Sequence, residues 1–181
     1  QEVQVSGVRQ SEASGLEALH GNGMEGLGEG DGMQELPQRS EGFANRNVQG
    51  TNPVASCVVF RDAEPSKRDY RHFNIKSVVG ATDYASMKEV VNRRYSRMLA
   101  EAPDDLPQLI VIDGGKGQLA FAYEAILGLG IQDRVTVVGL AKRLEEVVRI
   151  GDPYPLFIDR NSQALKLLQR LRDEAHRFGI T

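Results

Sequence analysis

The sequence predicts an α/β protein built on a mixed sheet, with antiparallel strands first, parallel strands later and helices on its flanks. Two observations support this fold class. Residues 54–60 and 70–75 are strand-like segments joined by a polar turn, which predicts an antiparallel hairpin. Residues 109–112 are four consecutive apolar residues, typical of a strand buried on both faces, and a helical pattern follows them.

The other elements alternate between helix and strand along the chain. Apolar spacing predicts a helix over residues 83–99 and another from about residue 118 to 127. Residues 134–140 predict a further buried strand, and residues 147–150 and 156–158 flank a Gly-Asp-Pro turn as a short hairpin. A last helix, capped by Asn161 or Ser162, completes the pattern. Its predicted core stripe is Ala164, Leu168, Leu171, Ala175 and Phe178.

Residues 1–42 differ in composition from residues 43–181. They carry eight acidic and two basic residues, against seventeen and twenty in the remainder, and nine of the 19 glycines. A segment this polar and glycine-rich cannot bury enough apolar surface to offset its ordering entropy. We therefore expect a disordered acidic segment over 1–42 and one domain over 43–181. An acidic arm that competes with nucleic acid for a basic surface is the alternative interpretation.

Composition also limits the class of protein. No apolar run approaches the roughly 18 residues that a membrane helix needs, and the N-terminus lacks a signal-peptide pattern, so we expect a cytoplasmic protein without membrane contact. Cys57 is the single cysteine, which excludes a disulfide framework and a cysteine metal site. Because it lies in an apolar strand-like run, we expect a buried structural thiol.

Asp113 is the first candidate site residue. It follows the buried strand 109–112 directly, and the carboxyl ends of such strands are where open α/β sheets place their sites. The glycines that follow let the backbone turn sharply and let a large ligand approach. Their spacing does not match a nucleotide-binding phosphate loop, which excludes that class. The plain alternative is an aspartate that caps the next helix.

A second polar cluster, residues 172–177, lies on the last predicted helix. Its Asp-Glu-Ala-His sequence spells a helicase box, but helicase acids follow a strand, whereas the apolar spacing here is helical. A helicase is therefore excluded. The competing interpretation is a solvated helix face on which Arg172, Asp173, His176 and Arg177 form weak ion pairs.

Basic side chains form two ridges on the predicted helices. One ridge lies on the last helix and the other on the first, an arrangement that fits a phosphate backbone. Solubilising surface charge is the alternative. The residues are Lys166, Arg170 and Arg177 in one ridge, and Arg93, Arg94 and Arg97 in the other.

Six segments taken together resemble one known family. They occur in order and with ordinary spacing between residue 43 and residue 181, and they include the Ile-Asp-Gly-Gly-Lys-Gly and Asp-Glu-Ala-His-Arg-Phe motifs. The set is similar to the C-terminal endonuclease domain of the UvrC family, a component of the excinuclease ABC system. The segments are residues 54–60, 70–75, 83–87, 112–119, 139–142 and 172–178.

The resemblance implies an RNase H-like fold that cuts damaged double-stranded DNA on the 5′ side of a lesion in nucleotide excision repair, with Mg²⁺ or Mn²⁺. It implies Asp113 and His176 as catalytic residues and metal ligands, and Lys142 and Asp83 nearby. Lys142 would meet phosphate charge, while Asp83 serves equally well as a helix N-cap. Lys116 joins the two basic ridges as a DNA contact. In the full-length protein a UvrB-type subunit would be a partner, and we expect a monomer.

One position departs from the family pattern. Ala44 stands where the family has the first metal-binding aspartate. Glu41 and Asn45 cannot replace it, because alternation along a strand sends them to the opposite face, whereas Arg46 shares its face and brings positive charge. We therefore expect weak or absent cutting. The alternative is a non-catalytic DNA-binding or partner-docking remnant. A deliberate inactivating change, a decayed or mis-joined fragment and a natural non-cutting relative all remain open.

Overall fold

The computed structural model describes residues 36–46, 53–76, 83–141 and 146–180. In these ranges eight strands form one sheet and three helices cover it. The strands are β1 (Arg39–Arg46), β2 (Val54–Arg61), β3 (Glu64–Pro65), β4 (Arg71–Asn74), β5 (Leu109–Asp113), β6 (Thr136–Leu140), β7 (Glu146–Arg149) and β8 (Leu156–Phe157). The helices are α1 (Asp83–Glu101), α2 (Lys116–Leu129) and α3 (Gln163–Ile180), and two 3₁₀ turns span Lys67–Asp69 and Pro103–Asp105.

The sheet is mixed, as predicted. Its strand order is β3-β2-β1-β5-β6-β7-β8, and β4 also pairs with β2. The central strand β1 runs antiparallel to β2 and parallel to β5, β5 runs parallel to β6, and β7 and β8 complete the far edge antiparallel. The predicted hairpin is confirmed in the pairing of β2 with β4, and the short β3 was not predicted.

The helices divide between the two faces of the sheet. The core between the sheet and α1 with α2 includes Phe43, Tyr95 and Ile112. The core between the sheet and α3 includes Val111 and Leu171. Because neighbouring residues of a strand point to opposite faces, each sheet residue faces either α1 and α2 or α3.

The last helix matches its prediction closely. The first four residues of the predicted stripe are fully buried, and Phe178 is partly buried against the same core. Ser162 is the N-cap of the two candidates, since its Oγ accepts a hydrogen bond from the backbone N–H of Leu165 at 3.2 Å. The other elements lie within a few residues of their predicted bounds.

The predicted boundary at residue 42 is wrong. Strand β1 already begins at Arg39, and Ser40 and Glu41 are fully buried in it. Composition misled here because an average over a long window counts Arg39 and Glu41 as solvated charges, whereas in the fold they form an ion pair at 2.8 Å. Residues 1–35 of the predicted disordered segment lie outside the described residues.

Cys57 is a free, fully buried thiol, as predicted. Among the described residues no helix is both long enough and apolar enough to cross a membrane.

Candidate functional site

Asp113 lies at the carboxyl end of β5, near the middle of the sheet. The backbone leaves the strand at Gly114, whose φ of 149° is rarely adopted by residues with a side chain. The Gly114 N–H bonds the carbonyl of Leu140 on β6 at 3.1 Å, which fixes this turn. The Asp113 side chain shares the α3 face with Val111 and keeps 24% of its surface exposed.

His176 reaches Asp113 from α3, the helix that packs on this face of the sheet. Its Nε2 forms a hydrogen bond with Asp113 Oδ2. His176 directly follows Ala175, the buried end of the α3 stripe, so it lies at the margin of the packed surface, and its own side chain is 55% exposed. The fold thus brings together two residues 63 positions apart in sequence.

Ala44 lies beside Asp113 on the neighbouring strand. The parallel pairing of β1 with β5 places Phe43 opposite Ile112, and the next residue on each strand is Ala44 and Asp113. Ala44 belongs to the core on the α3 face and is 4% exposed. The position facing Asp113 and α3 therefore carries a methyl group, which offers no ligand atom.

Glu41 lies on the other face of β1, as the alternation predicts. Its carboxylate is fully buried and accepts hydrogen bonds from Arg39 Nε at 2.8 Å and from the Tyr95 hydroxyl at 2.9 Å. Arg94 donates two more, at 3.0 and 3.1 Å. Glu41 thus belongs to a buried network on the opposite face of the sheet and does not face Asp113.

Arg46 shares the face of Ala44, also as predicted. Its Nη1 donates a hydrogen bond to the carbonyl of Gly179 at 3.1 Å, near the end of α3. This guanidinium therefore interacts with the helix terminus that follows His176.

The ligand atoms assembled at this point are few. In the described ranges no three side chains from His, Cys, Asp and Glu form a group that could hold a metal ion. Asp113 and His176 contribute one carboxylate and one imidazole. Oxygen ligands suit Mg²⁺, which proteins commonly hold through one or two carboxylates together with substrate phosphates. The chemistry of the pair therefore fits a hard cation, and the neighbouring Ala44 side chain adds no ligand atom.

The residues around His176 are not merely a solvated helix face. The alternative of weak surface ion pairs fits Arg172 and Asp173, whose contact is 2.8 Å. Glu174, however, accepts a hydrogen bond from the buried Tyr70 hydroxyl at 3.0 Å and another from Arg177. Burial, with the nearby Glu174 carboxylate, raises the pKa of Tyr70 well above its usual value.

Three further contacts bind this part of α3 to the predicted hairpin. The Ser56 hydroxyl donates to the carbonyl of Ala175 at 2.7 Å. The ring of Phe178 stacks on His72 at 3.9 Å between centroids and meets Tyr70 edge-on at 5.0 Å. Sequence reasoning gave no role to these three hairpin residues. Their occurrence in the segments that carry the family resemblance was the available signal.

The basic ridge on α1 lies on the sheet face opposite α3. Arg94 is a correction: its side chain is 10% exposed and bound to Glu41, so it is not placed to contact DNA. Arg93 donates to the carbonyl of Asn74 at 2.7 Å, and Arg97 forms an exposed pair with Glu101. The structure does not bring this ridge beside Asp113 and His176.

The basic residues nearer the pair have varied partners. Lys166 on α3 is exposed, and Arg170 lies over the Phe60 ring at 5.1 Å. Arg177 binds Glu174, and Lys116 donates to the carbonyl of Pro153.

Two predicted site residues cannot be placed. Lys142 lies outside the described residues. Asp83 is the first residue of α1, but its side chain also lies outside them.

Residues 29–180 match the family model of the UvrC RNase H endonuclease domain. Proteins named UvrABC system protein C are similar over most of the chain. That of Flavobacterium johnsoniae is 59% identical over 145 residues, covering 80% of this chain and 24% of the relative. That of Porphyromonas gingivalis is 54% identical over 148 residues, covering 82% and 24%. The chain thus spans about a quarter of the length of these curated relatives.

Similarity to solved structures is weaker. The crystal structure of human ENDOV has a TM-score of 0.48 and 14% identity, covering 80% of this chain and 85% of that chain. A Ciona intestinalis endonuclease V in complex with an inosine-containing DNA has a TM-score of 0.41 and 17% identity, covering 82% and 61%.

Proposed function

This chain belongs to the family of UvrC RNase H endonuclease domains, and from this premise we propose that it is a metal-dependent DNA endonuclease domain of excision repair, impaired by Ala44. Membership confirms the resemblance and the RNase H-like fold predicted from the sequence. The observation that carries the proposal is the hydrogen bond between His176 and Asp113, beside the methyl group of Ala44.

The pair has the chemistry that phosphodiester hydrolysis requires. A divalent cation bound here would neutralise phosphate charge and lower the pKa of a bound water. Asp113 would supply an oxygen ligand, and His176 would accept a proton from the attacking water. Because Nε2 of His176 faces the carboxylate, Nδ1 is the ring atom left to take that proton. The exposure of both side chains leaves room for a phosphate to approach.

Ala44 explains why this arrangement would act weakly. An aspartate at position 44 would add a second carboxylate on the face and neighbouring strand of Asp113. Two carboxylates on neighbouring strands at this position repel each other unless they share a cation. The Ala44→Asp chain should therefore bind Mn²⁺ more tightly than the unaltered chain.

The substrate and partners are proposed from the family. We propose damaged double-stranded DNA, incised 5′ to the lesion, and a UvrB-type partner subunit in the full-length protein. Lys116, Lys166, Arg170 and Arg177 would contact phosphates, and Lys142 and Asp83 would lie near the cut bond. Backbone contacts carry no base information, so no sequence preference is expected. The monomeric state and cytoplasmic location stay predictions.

Incision of a lesion-bearing duplex with Mn²⁺ tests the proposal. We expect the Ala44→Asp chain to cut at least about 10²-fold faster than the unaltered chain, and the Ala44→Asp, His176→Ala chain to lose that gain. Ala44→Asn is the matched control, because asparagine has nearly the same shape as aspartate but carries no charge. Full-rate cutting by the unaltered chain would contradict the assigned role of position 44.

The buried methyl group of Ala44 also favours a second candidate, a non-catalytic DNA-binding remnant. It predicts salt-dependent binding of duplex DNA by both chains and no incision after Ala44→Asp. The same assay with a binding measurement therefore separates the two functions.

A further inference from the structure

Side chains from three neighbouring strands hold the C-terminal turn of α3. The last four carbonyls of a helix have no partner within it, and here the sheet supplies donors for those of Phe178 and Gly179. The Ser56 hydroxyl adds a bond to the carbonyl of Ala175, just before these four. The bonds run from Ser56 on β2 to Ala175 at 2.7 Å, from His72 on β4 to Phe178 at 2.8 Å, and from Arg46 on β1 to Gly179 at 3.1 Å.

The side chains of the same turn are held as well. Glu174 accepts the hydrogen bond of Tyr70, and Phe178 packs on the rings of Tyr70 and His72. His176 lies between these two anchored residues. Its own ring is more than half exposed and therefore has little packing to hold it. The position of the ring then depends on the backbone that the residues on either side hold in place.

A small movement of this turn would separate the pair. One residue of an α-helix corresponds to a 1.5 Å rise and about 100° of rotation, so slippage by a fraction of a residue carries the imidazole away from the carboxylate. A misplacement of about 1 Å at a reacting group can cost roughly 10²-fold in rate.

We propose that Ser56 and Tyr70 are positioning residues, which hold the turn of α3 that carries His176 so that its imidazole stays against Asp113. Neither touches the reacting atoms. Both act through the helix, Ser56 through the carbonyl of Ala175 and Tyr70 through the carboxylate of Glu174. The catalytic consequence rests on the proposed function of the pair, whereas the positioning itself does not.

Ring ¹⁵N signals of His176, measured by NMR, test the positioning without any catalysis. Asp113→Asn gives the reference spectrum of a His176 that lacks its carboxylate partner. We expect Ser56→Ala and Tyr70→Phe each to shift the ring signals toward that reference. Ser162→Ala is the matched control, because it removes a hydroxyl bond at the opposite end of the same helix and should leave the signals unchanged.

Incision measured in the Ala44→Asp background adds a second readout. We expect Tyr70→Phe to lower kcat about tenfold with little change in KM, since a positioning defect acts on the chemical step. Ring signals that shift in a chain that never cuts would leave the positioning intact and contradict the proposed function.

Two outcomes would overturn the positioning itself: unchanged ring signals in both variants, or an equal shift in Ser162→Ala. Unchanged kcat in an Ala44→Asp chain that cuts would overturn its catalytic consequence. If Ser56→Ala fails to fold by circular dichroism, Tyr70→Phe decides alone, because it keeps the ring and its contact with Phe178.

Discussion

Arg94 of α1 donates two hydrogen bonds to the carboxylate of Glu41 in the central strand, at 3.0 and 3.1 Å. The Glu41 side chain is fully buried and that of Arg94 is 10% exposed. Arg39 and Tyr95 bond the same carboxylate. A charged network thus joins α1 to β1 directly behind the strand face that carries Ala44.

Glu41→Gln should destabilise the fold strongly. Removing one partner of a buried ion pair leaves the other charge uncompensated, and we expect a loss of about 3–5 kcal/mol in the free energy of unfolding. Urea denaturation measures it. Glu101→Gln, in the exposed pair with Arg97, is the control and should cost less than about 0.5 kcal/mol. A loss below about 1 kcal/mol at Glu41 would contradict the importance of the network.

Gly139→Ala should disturb the turn after Asp113. A Cβ on Gly139 would lie 2.9 Å from the carbonyl oxygen of Gly114 and 2.5 Å from Val148 Cγ2. Overpacking of this kind costs about 1–3 kcal/mol, measurable by thermal or urea unfolding. The control is Gly128→Ala in α2, where a Cβ would meet nothing within 4 Å. This substitution should stabilise the helix by up to about 1 kcal/mol. Equal effects at the two glycines would refute this account.

Glu174 should make stability depend on pH in the acidic range. The Arg177 hydrogen bond, the largest influence, and the Tyr70 hydroxyl hold the pKa of Glu174 below its usual value, against the effect of burial. A carboxyl with a lowered folded-state pKa stabilises the fold above its unfolded-state pKa, and this contribution is lost as the pH falls through the folded-state pKa.

The free-energy gap between the unaltered chain and Glu174→Gln should therefore be largest near pH 7. It should shrink below about pH 4.3, the ordinary glutamate pKa. We expect less than about 1 kcal/mol, because solvent screens the pair. Urea unfolding from pH 7 to pH 3 checks this, with the exposed Asp173→Asn as control. A gap independent of pH would contradict the assignment.

The Cys57 thiol should be unreactive in the folded protein. Burial is the main cause that raises its pKa above the usual range, Arg94 opposes this and Glu41 adds to it. Since the thiolate is the reactive species, we expect no labelling by a thiol reagent at pH 8 until urea unfolds the chain. Labelling that precedes the loss of circular dichroism signal would show local opening of β2.

DNA contact should involve the α3 face and not the α1 face. Removing a phosphate contact weakens binding uniformly and lowers the salt slope by about 1. We expect this for Lys166→Ala on α3, and no change for Arg97→Ala, which removes the same charge from the opposite face. Duplex binding at several salt concentrations measures both. The reverse result would place DNA on the α1 face.

Local patterns predicted most of the elements because their causes are local. The apolar run of β5, the stripe of α3 and the Ser162 cap each depend on neighbouring residues. The meeting of Asp113 with His176 could be expected only through the family resemblance, since spacing along the chain carries no information about a contact across 63 positions.

The errors have the same physical origin. The sequence predicts Arg94 in a DNA-binding ridge, because arginines clustered on a helix usually lie on its solvent-exposed face. Its actual partner is Glu41, a carboxylate 53 positions earlier that lay within the segment expected to be disordered. A buried charge can be predicted only when its partner is known, and the local sequence identifies neither Arg94 nor Glu41 as the partner of the other.

The placement of the pair on β5 and on the last described helix has a consequence during synthesis. At roughly 5–20 residues per second a ribosome needs about 3–13 s to add the 63 residues between Asp113 and His176. Throughout that interval the nascent chain holds the carboxylate without its imidazole. Under the proposed function, hydrolysis would therefore require that α3 has docked, because a partly made chain lacks the imidazole.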